Sequence, residues 1–387
     1  MDKLSWVWFQ NAVGFCKRCT NRMVETVGSP RVLMEMRREE IERLDIFSPK
    51  EIQSLVTASA DAAHRILESC DRLGYSIVTP DDEVYGERLR NIPLMPAVLY
   101  VQGKLKNFDD TPAMAMVGTR KMTEYGAKVA CGLAKDLAAS GFVVISGLAE
   151  GIDAQSHKGA VMQEGYTVAV IGCGLDIDYP RPNRALREMI LENGAVVSEY
   201  PPGTAPIPAN FPNRNRIISG MSDGVLVIEG NEFSGSMITA GHGLTQGKDI
   251  FAVPNSIYEK SSAGCFKLIS QGAKMVCSVQ DITDEYEARF GDKIVKPSCA
   301  DNDDRVNTAE KTAGTSVEKT KRKQKPMPDY LTEEQKMIYA VLIGKYLTAQ
   351  DISAETGMTL YQVLAKLTEL EIYGVVKADV GGVYFLC

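Results

Sequence analysis

Two glycine-rich segments of the chain combine the residue types that bind anions. Residues 116–120 (Met-Val-Gly-Thr-Arg) and 146–153 (Ser-Gly-Leu-Ala-Glu-Gly-Ile-Asp) each follow a short apolar run and precede a stretch of helical composition. Glycine lets the backbone approach a ligand closely, and free N–H groups at the start of a helix point toward it. Arg120 adds a planar set of donors that suits phosphate. Together the two segments predict an anion-binding crevice at the carboxyl ends of parallel strands.

Further segments are expected to reach the same crevice. Each joins the end of a predicted strand to glycine, proline or polar residues. They are residues 171–176, 198–201, 210–218, and 229 together with 234–239. One glycine-rich turn alone is weak evidence for a site, but the order and spacing of all these segments are specific.

The elements that must position these segments alternate between strands and helices, which predicts an α/β fold with a mostly parallel sheet covered on both faces. The predicted strands are residues 113–117, 142–146, 167–171, 195–198, 224–229, 250–253 and 274–276. The predicted helices are residues 125–139, 153–163, 184–192, 214–220, 237–246 and 266–270. Two extended stretches, residues 75–78 and 97–101, precede this region.

Four segments make up the predicted domain organisation. They are a small helical (SAM/HhH-like) domain over 1–75, an extended Rossmann-like domain over 76–291, a disordered tether over 292–329, and a winged-helix domain over 330–387. In the first domain one apolar helical stripe is predicted from Leu4, Val7, Trp8, Ala12 and Phe15. The tether carries a basic run between residues 319 and 325, which we interpret as a solvated linker or a weak contact with nucleic acid.

Charge and composition narrow the class of protein. The net charge is −7, which argues against a whole surface that binds nucleic acid but leaves room for a local basic pocket. The nine cysteines are scattered and odd in number, as in reduced proteins, and no apolar run is long enough for a membrane span. We expect a cytoplasmic protein without a secretory signal.

The predicted winged helix has an unusual charge balance for a DNA reader. Four lysines and seven carboxylates lie in residues 330–387, which gives −3, and arginine is absent. A recognition helix whose one cation is Lys366 cannot neutralise many phosphates. A structural role or a contact with protein is therefore favoured over DNA reading for this domain.

Taken together, these motifs resemble the DprA/Smf family of DNA-processing proteins of natural transformation. The matching segments are residues 117–120 with 125–126, 146–153 with 157 and 159, 172–176 with 179–180 and 183, 198–202, 211–218, and 234–239 with 246–247. The resemblance implies a non-enzymatic protein without a cofactor or metal. Such a protein binds and protects incoming single-stranded DNA, loads the RecA recombinase onto it, and forms a homodimer.

The resemblance also implies a set of DNA-binding residues. Arg120 would hold a phosphate, the ring of Phe211 would stack on a base, and backbone N–H groups of the two turns would cradle neighbouring phosphates. Arg216 would add charge. The expected DNA-binding residues are Gly118, Thr119, Arg120, Gly147, Leu148, Phe211, Asn213, Arg214, Asn215, Ser234 and Ser236.

Several of these residues also have a purely structural interpretation. The turn glycines, including Gly147, would then serve only tight packing of strand on helix. Arg120 would pair with Glu199 or Glu229, and Phe211 would belong to the core. Two further residues near the turns are expected to be structural: Asp153 as a helix-capping carboxylate and His157 as a buried histidine.

An enzyme is the main competing hypothesis. The predicted pocket with its acids Glu150, Asp153 and Glu229 would suit a Rossmann-like protein that binds or hydrolyses nucleotides. Against it, the chain has neither an ATP-binding P-loop nor a complete dinucleotide fingerprint, and Cys16 with Cys19 forms only half of a zinc motif.

A transcriptional regulator is the third hypothesis. Glu150 departs from the pattern of the DprA/Smf family. Its negative charge beside the predicted anion pocket should weaken phosphate binding.

Overall fold

The computed structural model describes residues 2–295, 331–343, 345, 347–372, 375–378 and 383–386. The chain divides into two compact units, Met1–Asp304 and Arg305–Cys387. Residues 296–329 of the predicted tether, with their basic run, and the predicted hairpin turn at Gly381 and Gly382 lie outside the described residues. Over the described part of the chain, no helix combines the length and the apolar character needed to cross a bilayer.

The described part of the first unit begins with six helices. Their bounds are α1 (Lys3–Val13), α2 (Arg18–Val27), α3 (Pro30–Glu35), α4 (Arg38–Arg43), α5 (Pro49–Thr57) and α6 (Ala60–Leu73). The side chains of Ser29, Ser48 and Ser59 accept backbone hydrogen bonds at the starts of α3, α5 and α6, which fixes where these helices begin. Residues 6–9 of α1 are all buried, because α3, α5 and α6 pack around it. The predicted single apolar stripe on α1 is therefore wrong.

A sheet of nine strands, counted over the described residues, forms the centre of the first unit. Its strands are β1 (Ser76–Val78), β2 (Leu99–Gly103), β3 (Ala113–Gly118), β4 (Val143–Ser146), β5 (Thr167–Ile171), β6 (Ala195–Ser198), β7 (Gly224–Glu229), β8 (Asp249–Ala252) and β9 (Lys274–Met275). They lie in the order β1-β2-β6-β5-β4-β3-β7-β8-β9. The strands from β6 to β9 in this order are parallel, and β1 and β2 add an antiparallel edge. This confirms the predicted extended Rossmann-like fold.

Helices cover both faces of the sheet. The central strands are therefore continuous runs of apolar residues, because both of their faces are buried. Their bounds are α7 (Glu87–Arg90), α8 (Glu124–Ala139), α9 (Ile152–Met162), α10 (Arg184–Asn193), α11 (Asn210–Gly220), α12 (Gly235–Thr245), α13 (Ala263–Ser270) and α14 (Gln280–Phe290). On one part of the sheet, Tyr100, Ala169 and Val196 share a core with Trp6 and Phe9 of α1. The predicted boundary at residue 75 thus falls inside a shared core, and the division into domains stays a prediction.

The second unit is a small helical domain with a short sheet. Its elements are α15 (Glu333–Leu342), β10 (Leu347–Thr348), α16 (Ala349–Thr356), α17 (Leu360–Ile372), β11 (Val376–Ala378) and β12 (Val383–Leu386). Thr332 and Gln335 form the predicted capping box at the start of α15, and Gly357 ends α16 in a left-handed conformation with φ of 72°. Ile338 and Val363 are completely buried between the helices. The predicted winged helix is confirmed.

Candidate functional site

A crevice of about 420 Å³ opens at the carboxyl ends of β3 and β7, where the two predicted turns meet. A smaller recess adjoins it and shares Arg120 and Phe211 with it. Most of the expected site residues come together here. The crevice lining includes Gly118, Thr119, Arg120, Phe211, Arg214, Asn215, Ser234 and Ser236. Gly147 lines the smaller recess, together with Glu150.

Two expected site residues lie differently. Leu148 is buried and packs into the apolar core beneath the recess, while its backbone carbonyl accepts a hydrogen bond from the side chain of Asn183 at 2.9 Å. Asn213 is half-buried on α11, and its carbonyl accepts a hydrogen bond from Arg216 at 3.3 Å. Neither side chain belongs to the pocket lining that the described residues form.

The floor of the crevice is occupied by a carboxylate of the protein itself. Asp153 lies in the first turn of α9, and the backbone N–H groups of Ala149, Gly147 and Gly118 face it together with the Arg214 guanidinium. Burial raises the pKa of Asp153 to about 6, and these positive groups oppose the rise. The carboxylate therefore takes the position that the sequence assigned to a bound phosphate.

The position of Asp153 bears directly on the predicted phosphate cradle, which stays a prediction. The N–H groups of Gly118 and Gly147 face Asp153, and the N–H of Thr119 donates to the carbonyl of Glu229 at 2.7 Å. The Thr119 amide is therefore occupied inside the protein. An anion placed at Gly118 or Gly147 would lie close to the Asp153 carboxylate.

Arg214 joins the two turns from inside. Its side chain is buried, donates to the carbonyl of Gly147 at 2.8 Å and to that of Val170, and contacts the Asn215 side chain at 3.2 Å. A Cβ atom on residue 147 would lie 2.6 Å from Asp153 and 2.7 Å from Arg214. A side chain at position 147 would therefore have to displace the ends of the Asp153 and Arg214 side chains, so this position favours glycine.

The rim of the crevice carries an exposed cation above an aromatic ring. The Arg120 guanidinium lies 5.5 Å from the centre of the Phe211 ring. Phe211 is half-buried and lines the crevice, so it is not a plain core residue. Its ring packs at 5.5 Å on that of Tyr179, which holds it in place. Arg120 and Phe211 thus offer a charge and a ring to the same ligand.

The ion pairs that would have explained Arg120 structurally are not formed. Glu199 is bound to Arg216, with 2.6 Å between Nη2 and Oε1, and both residues are buried. One carboxylate oxygen of Glu229 accepts hydrogen bonds from the backbone and hydroxyl of Thr123 at 3.1 and 3.2 Å. The idea that Arg216 contacts DNA is wrong, because its charge is neutralised in the core. Arg120 keeps its charge at the surface.

Several residues at or beside the crevice were not among the expected DNA-binding residues. Tyr179 supports Phe211, and Pro206, Pro208 and Pro212 form part of the wall. Arg181 follows Pro180 of the recess and is exposed. The signal that could have found them was the concentration of proline, aromatic and basic residues in residues 179–181 and 206–212. A search of the described residues finds no group of three or more His, Cys, Asp or Glu side chains placed to hold a metal.

Comparison with known families identifies both units. Residues 76–287 match the family described as DNA recombination-mediator protein A, and residues 322–382 match the DprA winged helix domain. Protein Smf of Synechocystis is 35% identical over 324 residues, covering 82% of this chain and 81% of that protein. DNA processing protein DprA of Bacillus subtilis is 37% identical over 270 residues, covering 70% of this chain and 86% of that protein.

Solved structures agree with this match. DprA from Streptococcus pneumoniae superimposes with a TM-score of 0.63 at 32% identity, over 72% of this chain and 95% of that one. A structure of DNA processing protein A from Helicobacter pylori, described for its single-stranded DNA binding mode, gives a TM-score of 0.50 at 29% identity. It covers 55% of this chain and 96% of that one.

Proposed function

The chain belongs to the family of DNA recombination-mediator protein A, the DprA/Smf proteins, and we propose that it binds single-stranded DNA in the crevice. The observation that carries this proposal is the exposed Arg120 guanidinium 5.5 Å from the Phe211 ring at the crevice rim. A guanidinium suits a phosphate, and an aromatic ring stacks on an unpaired base of any identity. The single-stranded DNA binding described for the Helicobacter pylori relative supports the same ligand.

Phosphate contacts in this proposal come from side chains rather than from backbone amides. Arg120, Lys121 and Arg181 are exposed at or beside the rim. Each can neutralise one phosphate, and the released counterions make affinity depend on salt. Because stacking and phosphate contacts carry little sequence information, binding should be insensitive to sequence.

Arg120→Ala tests the proposal. We expect about tenfold weaker binding of single-stranded oligonucleotides of every sequence, since one charge-assisted contact is lost, and a salt slope lower by about 1. Fluorescence anisotropy titrations at several salt concentrations, with single- and double-stranded probes, measure both quantities. Arg65→Ala, at an exposed arginine of the helical segment, is the matched control. Parental affinity and slope in Arg120→Ala would show that DNA does not bind at this rim.

Removing the carboxylate of Glu150 should strengthen binding. Glu150 is exposed and lines the recess beside Arg120, where its charge repels phosphate. We expect Glu150→Gln to bind single-stranded DNA about two- to fivefold more tightly at low salt, with less gain at high salt. The same titrations measure this change, and Glu68→Gln at an exposed site in α6 is the control. Unchanged affinity at low salt would place Glu150 outside the DNA path.

A nucleotide-binding or nucleotide-hydrolysing enzyme is the second candidate, and Asp153 is the observation in its favour. Its carboxyl lines the crevice and has a pKa near the range useful for acid–base chemistry, about 6. That carboxyl, however, faces the amides that would otherwise bind a nucleotide phosphate. We therefore propose a protein without catalytic activity. Release of base or phosphate from nucleotides by the purified protein would reverse this choice.

The wider role follows from the family. We propose that the protein acts in the cytoplasm as a homodimer, protects incoming single strands and loads RecA onto them. Membership of the family of DNA recombination-mediator protein A supports this role.

A further inference from the structure

Two neighbouring loops at the carboxyl edge of the sheet carry large apolar side chains that the fold leaves in solvent. Phe233, in the loop after β7, is 94% exposed, and Tyr258 and Ile257, in the loop after β8, are 89% and 78% exposed. Leaving three such side chains in water gains nothing for folding, because each would contribute to stability only when buried. Large apolar side chains that neighbouring loops expose together are typical of interaction sites.

The two loops are joined to each other by backbone hydrogen bonds. The N–H of Gly230 donates to the carbonyl of Ser261 at 2.7 Å, and that of Gly264 donates to the carbonyl of Gly230 at 2.9 Å. Within its loop, the N–H of Phe233 donates to the Asn231 side chain at 3.0 Å. The rings are therefore presented from one connected piece of backbone.

This surface continues from the proposed DNA crevice. Ser234, the residue after Phe233, lines the crevice, and so does Ser236 at the start of α12. The charges beside the rings are balanced, because Glu232 pairs with Lys267 at 3.3 Å. A partner held here by charge is thus disfavoured, and the rings themselves are the chemical feature that a ligand leaving the crevice would meet.

We infer that Phe233 and Tyr258 form a second base-stacking platform, which lengthens the track for single-stranded DNA beyond the crevice. This inference rests on the proposed function. The occupant is the strand itself, because an unpaired polynucleotide anchored at Arg120 and Phe211 has further bases to stack, and every base has a face that can stack on an aromatic ring. A second copy of the chain or another protein is the competing occupant.

The binding of long and short oligonucleotides distinguishes contacts at the platform from contacts in the crevice. We expect the double variant Phe233→Leu with Tyr258→Leu, which keeps apolar side chains but lacks the rings, to bind oligothymidylate of about thirty nucleotides at least tenfold more weakly. It should bind a di- or trinucleotide like the parent, because so short a strand, anchored at Arg120 and Phe211, would not extend to the rings. The ring-retaining control, Phe233→Tyr with Tyr258→Phe, should match the parent at both lengths. Arg120→Ala should weaken binding at both lengths.

Phe233→Trp provides a direct readout of stacking. The two native tryptophans, Trp6 and Trp8, are buried, so a tryptophan at position 233 would dominate the change in fluorescence at an exposed site. We expect the long oligomer to quench this fluorescence and the short one to leave it unchanged. The contrary result is that the leucine variant binds both oligomers as tightly as the parent while Arg120→Ala binds them weakly. That result would overturn the inferred platform and leave the proposed function standing.

Two other outcomes have different consequences. Loss of a dimer in the leucine variant, measured by light scattering without DNA, would assign the rings to an interface between copies and overturn the inference. Failure of the parent to bind either oligomer would overturn the proposed function itself. Thermal unfolding of each variant checks that these exposed substitutions leave the fold intact.

Discussion

Arg216→Ala is expected to lower the free energy of unfolding by about 3–5 kcal/mol, because it leaves a buried carboxylate without its partner. Arg216 and Glu199 are 1% and 2% exposed, and their charged atoms lie 2.6 Å apart. Removing the guanidinium therefore strands Glu199 in the core. Urea denaturation, with the slope against denaturant compared between variant and parent, measures the loss.

The matched control for this prediction removes both charges. Glu199→Leu combined with Arg216→Met should recover most of the lost stability, since no buried charge remains unpaired. Folded Arg216→Ala protein should keep the parental salt slope of DNA binding, in contrast to Arg120→Ala. A stability change below about 0.5 kcal/mol in Arg216→Ala would contradict the buried pair.

His157→Gln is expected to change how stability depends on pH. His157 is completely buried, and its Nδ1 lies 2.8 Å from the Thr167 hydroxyl, which donates its own proton to the carbonyl of Val144. Nδ1 must therefore carry the ring proton. Nε2 has no hydrogen-bond partner among the described residues, so a second proton there would be a buried charge.

The direction of the pH effect follows from the pKa. Burial lowers the pKa of His157 to about 3, well below its ordinary value. The unfolded chain therefore binds more protons than the folded chain between about pH 3 and 6.5. The neutral ring makes its full contribution to the free energy of unfolding above this range, and the contribution is lost as the pH falls through it. At about pH 4.5 the parent should have lost about 2–3 kcal/mol of this contribution, and His157→Gln none of it.

Comparison with the variant is necessary because Asp153 acts in the opposite direction. Its raised pKa makes the folded state bind more protons between about pH 4 and 6, so its contribution to stability grows on acidification. The difference between parent and His157→Gln, measured by denaturation at several pH values, isolates the histidine. His64→Gln, at an exposed histidine, is the control. A parent–variant difference that is constant from neutral to acid pH would contradict the prediction.

The sheet could be predicted because its signal is local and strong. The apolar runs of β3, β5 and β7 are bounded by glycine turns and alternate with helices, and only a parallel sheet with two covered faces gives this pattern. The residues at which helices begin were harder to predict. The helix predicted over residues 214–220 begins earlier, at Asn210, and Pro212 does not prevent this because proline is tolerated in a first turn. Phe211 is consequently fixed on a helix.

The residue types of the site could be predicted from the sequence, but the directions in which their N–H groups and side chains point could not. Glycine turns and a neighbouring arginine indicate an anion site, and the sequence does contain an anion for it, Asp153, at the start of α9. Whether such amides face a ligand or an internal carboxylate depends on backbone direction. The same limit applies to Arg214 and Arg216, which have the same side chain two positions apart and different internal partners, the Gly147 carbonyl and Glu199.

The internal carboxylate also bears on competition inside a cell. Free mononucleotides are abundant there, and a protein that bound phosphate through vacant amides would be largely occupied by them. With Asp153 already facing those amides, a small triphosphate would meet a repelling charge. In the proposed mode of binding, a single strand would touch several rim groups at once and gain affinity with every added contact. The buried acid would thus favour chains over monomers without any need to recognise a base.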